Sequence, residues 1–353
     1  VLGTDESGGR YVIEINASHH ARGVASDCPF CQNGLPTHCP GRLVLGIHDL
    51  PGGFGPYVLA PVAAVLPLPE AIPANAGVLI EPLAAALNAV DMIRPQAGET
   101  VAVLGPRRLG MLVVAALGAW RESSGIDFAI LALARHRQLL ELSRHFGATE
   151  TGLVDGQGDS LPDGMADVVI DTTGNPQAFE LAIRLATREV HLKSTHGQPS
   201  AGLRHLTELV VDELRVDRFE PTAIAGRRVA WLPESEVPSG DVFSGKPAVI
   251  AAALAEGGGD YRLPRADVAV VDSAGQLDQA IRPSAADQIS LVRPRGDILI
   301  RREAGGGSDS LLVREVARRG LRLTSSRCGD FRRAIRLLEE NEELRSVGDK
   351  LIT

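Results

Sequence analysis

The spacing of apolar residues changes character along the chain. Through residue 75 the apolar runs are short and extended (RYVIEIN, RLVLGI, YVLAP, AVLPLP), and Gly or Pro bounds them. Those two residues punctuate strands, so residues 1–75 are expected to form a small, irregular β domain. From residue 76 the pattern shifts to an alanine-rich helix, GVLIEPLAAALNAVDMI. It is followed by TVAVLG, RLGMLVVAALGAWRE, FAILALA, RQLLELSRHFGA, ADVVIDTTG, QAFELAIRLA and EVHLKST. Strands apolar at nearly every position, alternating with helices, predict a doubly wound parallel sheet with both faces covered, here over residues 76–219.

A later block resembles this one. ADVVIDTTGNPQAFELAIRLATREVHLKSTHG begins at Ala166, and ADVAVVDSAGQLDQAIRPSAADQISLVRPRGDILIRREAGG begins at Ala266. Each reads as strand, turn, helix, strand, and each runs on into a Leu/Val/Glu-rich helix. We therefore expect a duplicated or inserted βαβ segment over residues 266–353. Residues 220–265, rich in Pro and Gly, read as a linker or insertion.

Composition narrows the function classes. With 353 residues the chain holds about two domains. A net charge of −8 argues against nucleic-acid binding. There is no membrane-length apolar run and no signal-peptide pattern at VLGTDESGGR, so a cytoplasmic protein is expected. Three of the four cysteines, Cys28, Cys31 and Cys39, lie within SDCPFCQNGLPTHCPGR. Such clustering in a cytosolic chain reads as metal binding rather than as a disulfide framework. Cys328, far away in SSRCGDF, reads as a small buried thiol.

Taken in order, RYVIEINAS, CPFCQNGLPTHCPGRLVLGI, GGFGPYVLAP, LIEPLAAALNAV, GETVAVLG, DVVIDTTGNPQAFELAIRL, LKST and SSRCGDF resemble successive segments of the zinc-containing medium-chain alcohol dehydrogenases, in the threonine and sorbitol dehydrogenase-like branch. The resemblance implies a Rossmann-like nucleotide-binding domain and a GroES-like β-barrel domain, the latter only partly present. It also implies hydride transfer between a small alcohol or polyol and a nicotinamide cofactor, NADP or NAD. In such chemistry a catalytic zinc polarises the alcohol oxygen, and a second, structural zinc sits in a cysteine lobe. A homodimer or homotetramer is implied too, with a monomer as the alternative if the repeated segment occupies the pairing edge. Both ends of the catalytic domain are expected to be missing from this sequence.

Set residue by residue against that pattern, the chain departs from it at informative places. Cys28, Cys31 and Cys39 match three of the four lobe cysteines, while Ala25 stands at the first. The fourth ligand is then His19 or His20 from HHARGVA, or Asp27, or His38, or the site is lost. Where the family's catalytic histidine and glutamate stand, this chain has Thr4 and Asp5, leaving Glu81 of EPLA as the matched carboxylate. Glu81, ahead of Pro82, also reads as an ordinary helix-start acid. After TVAVLG a dinucleotide fold carries GxGxxG. Here GPRRLG keeps Gly105 and Gly110 but puts Arg107 at the second glycine. At the next strand's end Ala134 replaces the acid that holds NAD's ribose, and Arg135 and Arg137 follow, an arrangement suited to the 2′-phosphate of NADP. Thr172 and Gly174 of DTTG, and Ser194 of LKST, complete the expected cofactor contacts. The competing expectation is a dinucleotide-binding or interaction protein that has lost its catalytic zinc.

Overall fold

The computed structural model describes residues 2–156, 158–194, 197–256, 265–284, 289–301, 310–346 and 351. The chain forms two compact units, Val1–Asn88 with Cys328–Thr353, and Ala89–Arg327.

The first unit, read in the sequence as residues 1–75, is built on short strands and also takes in the end of the chain from Cys328, which the sequence reading gave to the repeated segment. Its strands are β1 (Leu2–Thr4), β2 (Arg10–Ile13), β3 (Asn16–Ala17), β4 (Leu43–Leu45), β5 (Asp49–Leu50) and β6 (Val65–Pro67). They form two three-stranded sheets, β1-β2-β6 and β3-β4-β5. A short helix, α1 (Pro29–Gln32), lies inside the cysteine lobe, and α2 (Ala74–Gly77) leads to α3 (Ile80–Ile93). The chain returns to this unit at its end. The helix Phe331–Glu340 starts on an Asp330 side-chain cap and buries Phe331, Ala334, Ile335 and Leu338, a stripe of helical period. Just before it, Gly329 runs so close to α3 that a Cβ would sit 1.9 Å from the Ala84 carbonyl oxygen. Any side chain there would force the two backbones apart. Cys328 is half-buried, and the Asn16 side chain donates to its sulfur at 3.6 Å.

The second unit is built on one eleven-stranded sheet. Its strands are β7 (Thr100–Leu104), β8 (Ala129–Ala134), β9 (Glu150–Leu153), β10 (Ala166–Asp171), β11 (Ala186–Leu192), β12 (Arg215–Arg218), β13 (Val229–Trp231), β14 (Val242–Ser244), β15 (Ala266–Val271), β16 (Val292–Ile300) and β17 (Arg322–Ser325). Their spatial order is β14-β13-β15-β16-β12-β17-β11-β10-β7-β8-β9. Neighbours are parallel throughout except β12 and β17, which meet antiparallel at Val216 and Leu323. The helices are α4 (Arg108–Ser124), α5 (Arg137–His145), α6 (Pro176–Leu185), α7 (Leu206–Val211), α8 (Pro247–Ala255), α9 (Ala274–Ile281) and α10 (Leu311–Arg319). Strand residues such as Val101, Val103, Ile130, Val168, Ile170, Val268 and Val270 are fully buried, as a sheet covered on both faces requires.

The repeat seen in the sequence is a structural one. β10 and β15 show the same register irregularity, between Ala166 and Val168 in one and between Ala266 and Val268 in the other. Asp167 accepts from the Thr100 amide at the start of β7 at 2.8 Å, and Asp267 accepts from the Arg228 amide just before β13 at 3.0 Å. Thus β13 is the counterpart of β7, and β15 and β16 continue the first sheet. Residues 220–265, expected as a linker or insertion, supply β13 and β14 to that sheet.

Candidate functional site

The lobe between β3 and β4 gathers metal-binding side chains. Ser18 to Val24 form a tight turn, with the Arg22 amide donating to Ser18 and the Val24 amide to His19. This turn lifts His19 toward the cysteines. Its Nδ1 lies 3.1 Å from Cys39 Sγ and 3.8 Å from Cys31 Sγ, while the sulfurs of Cys28 and Cys39 are 3.9 Å apart. All four donor atoms lie within 4.8 Å of one another. A tetrahedral zinc, with sulfur at about 2.3 Å and nitrogen at about 2.0–2.1 Å, needs its donors roughly 3.5–3.8 Å apart. The arrangement fits that ion with small adjustments. Burial, together with the neighbouring thiols of Cys31 and Cys28, pushes the Cys39 thiol up to about 11. A cation is therefore what would turn it into a thiolate.

The lobe's surroundings are shaped around His19. Gly41 packs under the imidazole, where a Cβ would come within 2.6 Å of Nε2 and 2.7 Å of Cε1. His20, the other histidine considered, is exposed and outside the group, as are Asp27 and Ala25. His38 is buried and makes its Nδ1 contact with Thr37 at 3.3 Å.

Among the described residues the lobe is the only cluster of three or more His, Cys, Asp or Glu groups close enough to share an ion. Thr4, Asp5 and Glu81 do not assemble into a second. Asp5 closes the β1–β2 hairpin instead, accepting from Ser7, Gly9 and Tyr11, and the Ser7 hydroxyl foremost holds its carboxyl below the usual range. Thr4 pairs with Arg10 in the same hairpin. Glu81 is half-buried in the first turn of α3. The described residues therefore do not fit a catalytic zinc.

The nucleotide-type site lies at the carboxyl ends of β7, β8 and β10, where ligands collect in doubly wound sheets. Gly105 turns with φ +75, and a Cβ there would come 2.4 Å from Thr173 Cγ2. At Gly110, inside the first turn of α4, a Cβ would meet Thr172 Oγ1 at 2.6 Å and the Gly105 oxygen at 3.0 Å. Thr172 ties the turn down, donating to the Leu104 and Gly105 carbonyls at 3.0 and 2.9 Å. Thr173 in turn gives both its amide (2.8 Å) and its hydroxyl (2.7 Å) to buried Asp171. The Asp171–Thr172–Thr173 segment, ending at Gly174, thus fixes the glycine turn. Gly105→Ala should lower the melting temperature, through about 1–2 kcal/mol of left-handed strain plus the clash with Thr173. Adding Thr173→Ser, which removes the clashing methyl and keeps the hydroxyl, should restore part of the loss. A melt in which the second change gives nothing back would contradict this packing.

A cleft of about 320 Å³ opens beside the turn, lined by Gly105, Arg107, Arg135, His136, Thr173 and Asn175 among others. Arg107, Arg135 and Arg137 are exposed. Arg107 immediately precedes α4 and lines the cleft, whereas Arg137 starts α5 and is not among the lining residues. Ser194 is half-buried just past β11, and Thr195 lies outside the described residues.

Sequence reasoning missed the polar chain behind Ser194. His191 is fully buried, with Nδ1 2.8 Å from Thr324 and Nε2 2.8 Å from Ser326. Lys193 donates to the Ser326 hydroxyl and to the Ser326 and Arg327 carbonyls. Burial above all, with the Lys193 charge adding to it, pushes the His191 imidazole down to about 3. The pointer in the sequence was a histidine inside an otherwise apolar strand, EVHL.

One unit is a doubly wound sheet with a glycine turn of the dinucleotide-binding type, and the other is a small β unit with a cysteine lobe. Comparison with known proteins agrees over part of the chain. No known family profile matches it. It is 28% identical over 200 residues to L-threonine 3-dehydrogenase of Bacillus licheniformis, covering 52% of this chain and 53% of that one. It is 33% identical over 170 residues to L-galactonate-5-dehydrogenase of Escherichia coli K12, covering 46% and 47%. A structure assigned as a zinc-binding dehydrogenase from Sinorhizobium meliloti 1021, bound to NADP, is 28% identical with a TM-score of 0.44, over 55% of this chain and 56% of that one. The chain spans about half the length of the curated relatives it matches. Through that half it is similar to curated dehydrogenases of small hydroxylated substrates, at low identity. Among the described residues, no helix is long and apolar enough to cross a membrane.

Proposed function

We propose that the protein is an NADP(H)-linked oxidoreductase of the alcohol dehydrogenase type, exchanging hydride with a small alcohol or polyol, and that its lobe holds one structural zinc. The observation that carries the first part is the cleft beside the Gly105 turn, lined by Ala134 at the position of the NAD-binding acid and by Arg135 just after it. Gly105 and Gly110 admit the diphosphate to the start of α4, whose first amides favour anions. Arg135, with Arg137 after it, offers its guanidinium fork to a 2′-phosphate. The dinucleotide supplies the hydride donor or acceptor. Ser194 flanks the nicotinamide end. Glu81, the one carboxylate matched to the resemblance that is not engaged in the β1–β2 hairpin with Thr4 and Asp5, is assigned the acid–base role. In the lobe, His19, Cys28, Cys31 and Cys39 would hold the zinc and pin the turn, α1 and the strand that follows.

A second reading, a dinucleotide-binding protein without turnover, draws support from Arg107, whose side chain stands where close approach of the diphosphate asks for glycine. One experiment separates them. Nicotinamide fluorescence should saturate on titration with NADPH, and Arg135→Ala should weaken NADPH by about 10-fold or more, the worth of a charged hydrogen bond, while leaving NADH nearly unchanged. Oxidation of one alcohol in a polyol and hydroxy-acid panel, lost in Glu81→Gln with binding retained, supports the enzyme. Binding without turnover of any panel member favours the second reading. No saturation at millimolar NADPH or NADH overturns both.

A further inference from the structure

The eleven-stranded sheet has an internal two-fold plan. One half runs β9-β8-β7-β10-β11 and the other β14-β13-β15-β16, with β12 and β17 between β16 and β11. Chain order would place β12, which follows β11, next to β11, and β17, which follows β16, next to β16. The structure does the opposite. β17 pairs with β11 through Val190 and Leu323, and β12 pairs with β16 through Val216 and Ile298. The helices before these strands cross over with them. Arg319 at the end of α10 donates to the carbonyls of Ile183 and Ala186, both at 2.9 Å, in the first half. Around α7, the Arg204 amide donates to Asp278 of α9 at 3.0 Å, and Glu208 pairs with Arg282 at 3.6 Å, in the second half.

Side chains distinguish this arrangement from the unexchanged one. Both exchanged strands begin with an arginine opposite an acid, Arg322 against Glu189 and Arg215 against Asp297, so that pair of charges suits either pairing. The next polar positions do not. Thr324 donates to buried Glu189 at 2.6 Å and meets His191 at 2.8 Å. With β12 in that place, Asp217 would stand where Thr324 does and set a second carboxylate beside Glu189, a costly like-charge pair in a buried setting. Among its described residues the second half, meanwhile, carries no glycine turn leading into a helix after β13. β13 passes to β14 through residues 232–241 without a helix, and its strand ends are filled by Arg301, bidentate on Asp272 at 2.9 and 2.7 Å and stacked 5.4 Å over Trp231.

We infer that the second half-sheet is a built-in partner: one chain forms a pseudo-dimer by exchanging its last helix–strand units, so that it needs no second copy at this edge and carries one nucleotide-type site. The exchange also brings in the partners of Lys193, next to Ser194, because Ser326 and Arg327 directly follow β17. The inference rests on strand pairing alone and stands whether or not the protein binds a dinucleotide.

Paired cysteines test it. In a Cys328→Ser background, Val190→Cys with Leu323→Cys places two thiols on facing positions of adjacent strands, within disulfide reach. Mild oxidation should crosslink them inside one chain, and Ile298→Cys with Leu323→Cys should stay reduced. A 298–323 bond, or a 190–323 bond that joins two chains, overturns the proposal. Light scattering of the unmodified protein should give the mass of one chain, and a dimer mass would overturn the built-in partner. A milder pair avoids cysteines. Thr324→Val and His191→Ala should each lower the melting temperature and be less than additive together. Full additivity would contradict the pairing.

Discussion

Cys39→Ser should strip zinc from the purified protein and lower its stability to that of the chelator-treated wild type. Cys39 is central to the lobe, with its sulfur 3.9 Å from Cys28 and 3.1 Å from His19 Nδ1. Structural zinc in small sites supplies about 10 kcal/mol or more of apparent binding energy, which becomes folding energy for the segment it holds. Losing one of four donors should therefore cost more than the ~10–100-fold in affinity typical of outer-shell changes. His19→Ala should weaken zinc in the same direction, and His20→Ala should leave it in place, since His20 is exposed and outside the group. Gly41→Ala should weaken it as well by pushing the imidazole off its position. Affinity should fall as pH falls, because each thiol must give up its proton to bind. Metal analysis and chelator titration read all of these. Unchanged zinc in Cys39→Ser would refute the site.

The second large effect is at Asp171. Its carboxyl is almost fully buried at the end of β10, and burial pushes it up to about 6, with Thr173 partly opposing. In the unfolded chain the group titrates at its ordinary value of 3.8. Between these values the folded protein holds a proton that the unfolded chain has released. This group's contribution to stability is therefore greatest below about pH 4 and is lost as pH rises through about 6, by about 3 kcal/mol at most. Asp171→Asn keeps an oxygen that can accept from Thr173 and removes the buried charge. It should raise the melting temperature at pH 7.5, with the gain shrinking toward zero at pH 4. His191 works with the opposite sign. Its imidazole is held neutral, so its contribution is full above about pH 6.5 and declines as pH falls toward 3. Comparing Asp171→Asn with wild type at each pH cancels that common term. A gain independent of pH would contradict the assignment.

What the sequence makes legible follows from what periodicity and spacing encode. Fully apolar strands and alternating helices announce the sheet, and the paired Ala166 and Ala266 stretches announce a duplicated or inserted segment, whose shared register irregularity only the structure shows. GPRRLG predicts a tight turn at Gly105 and close packing at Gly110, and in the structure Gly105 lies against the Thr173 side chain and Gly110 against that of Thr172. Pairing order is a different kind of information. Arg215 and Arg322 open two similar strands, and nothing local says that each belongs beside the other half's acid. Residues 220–265 look like a linker because strands as short as Val229–Trp231 and Val242–Ser244 hardly register amid Pro and Gly. The choice of His19 over His20 depends on a turn closed by Ser18 and Arg22 and on a glycine, Gly41, that lies 22 positions further on.

The central claim is a single chain with one lobe metal and one dinucleotide site, and native mass spectrometry of the protein incubated with zinc and NADPH tests it most directly. The account predicts a species of one chain with one zinc and one NADPH, and Cys39→Ser should lose the zinc alone. A chain that takes up no dinucleotide at millimolar NADPH, or that binds two, would contradict it.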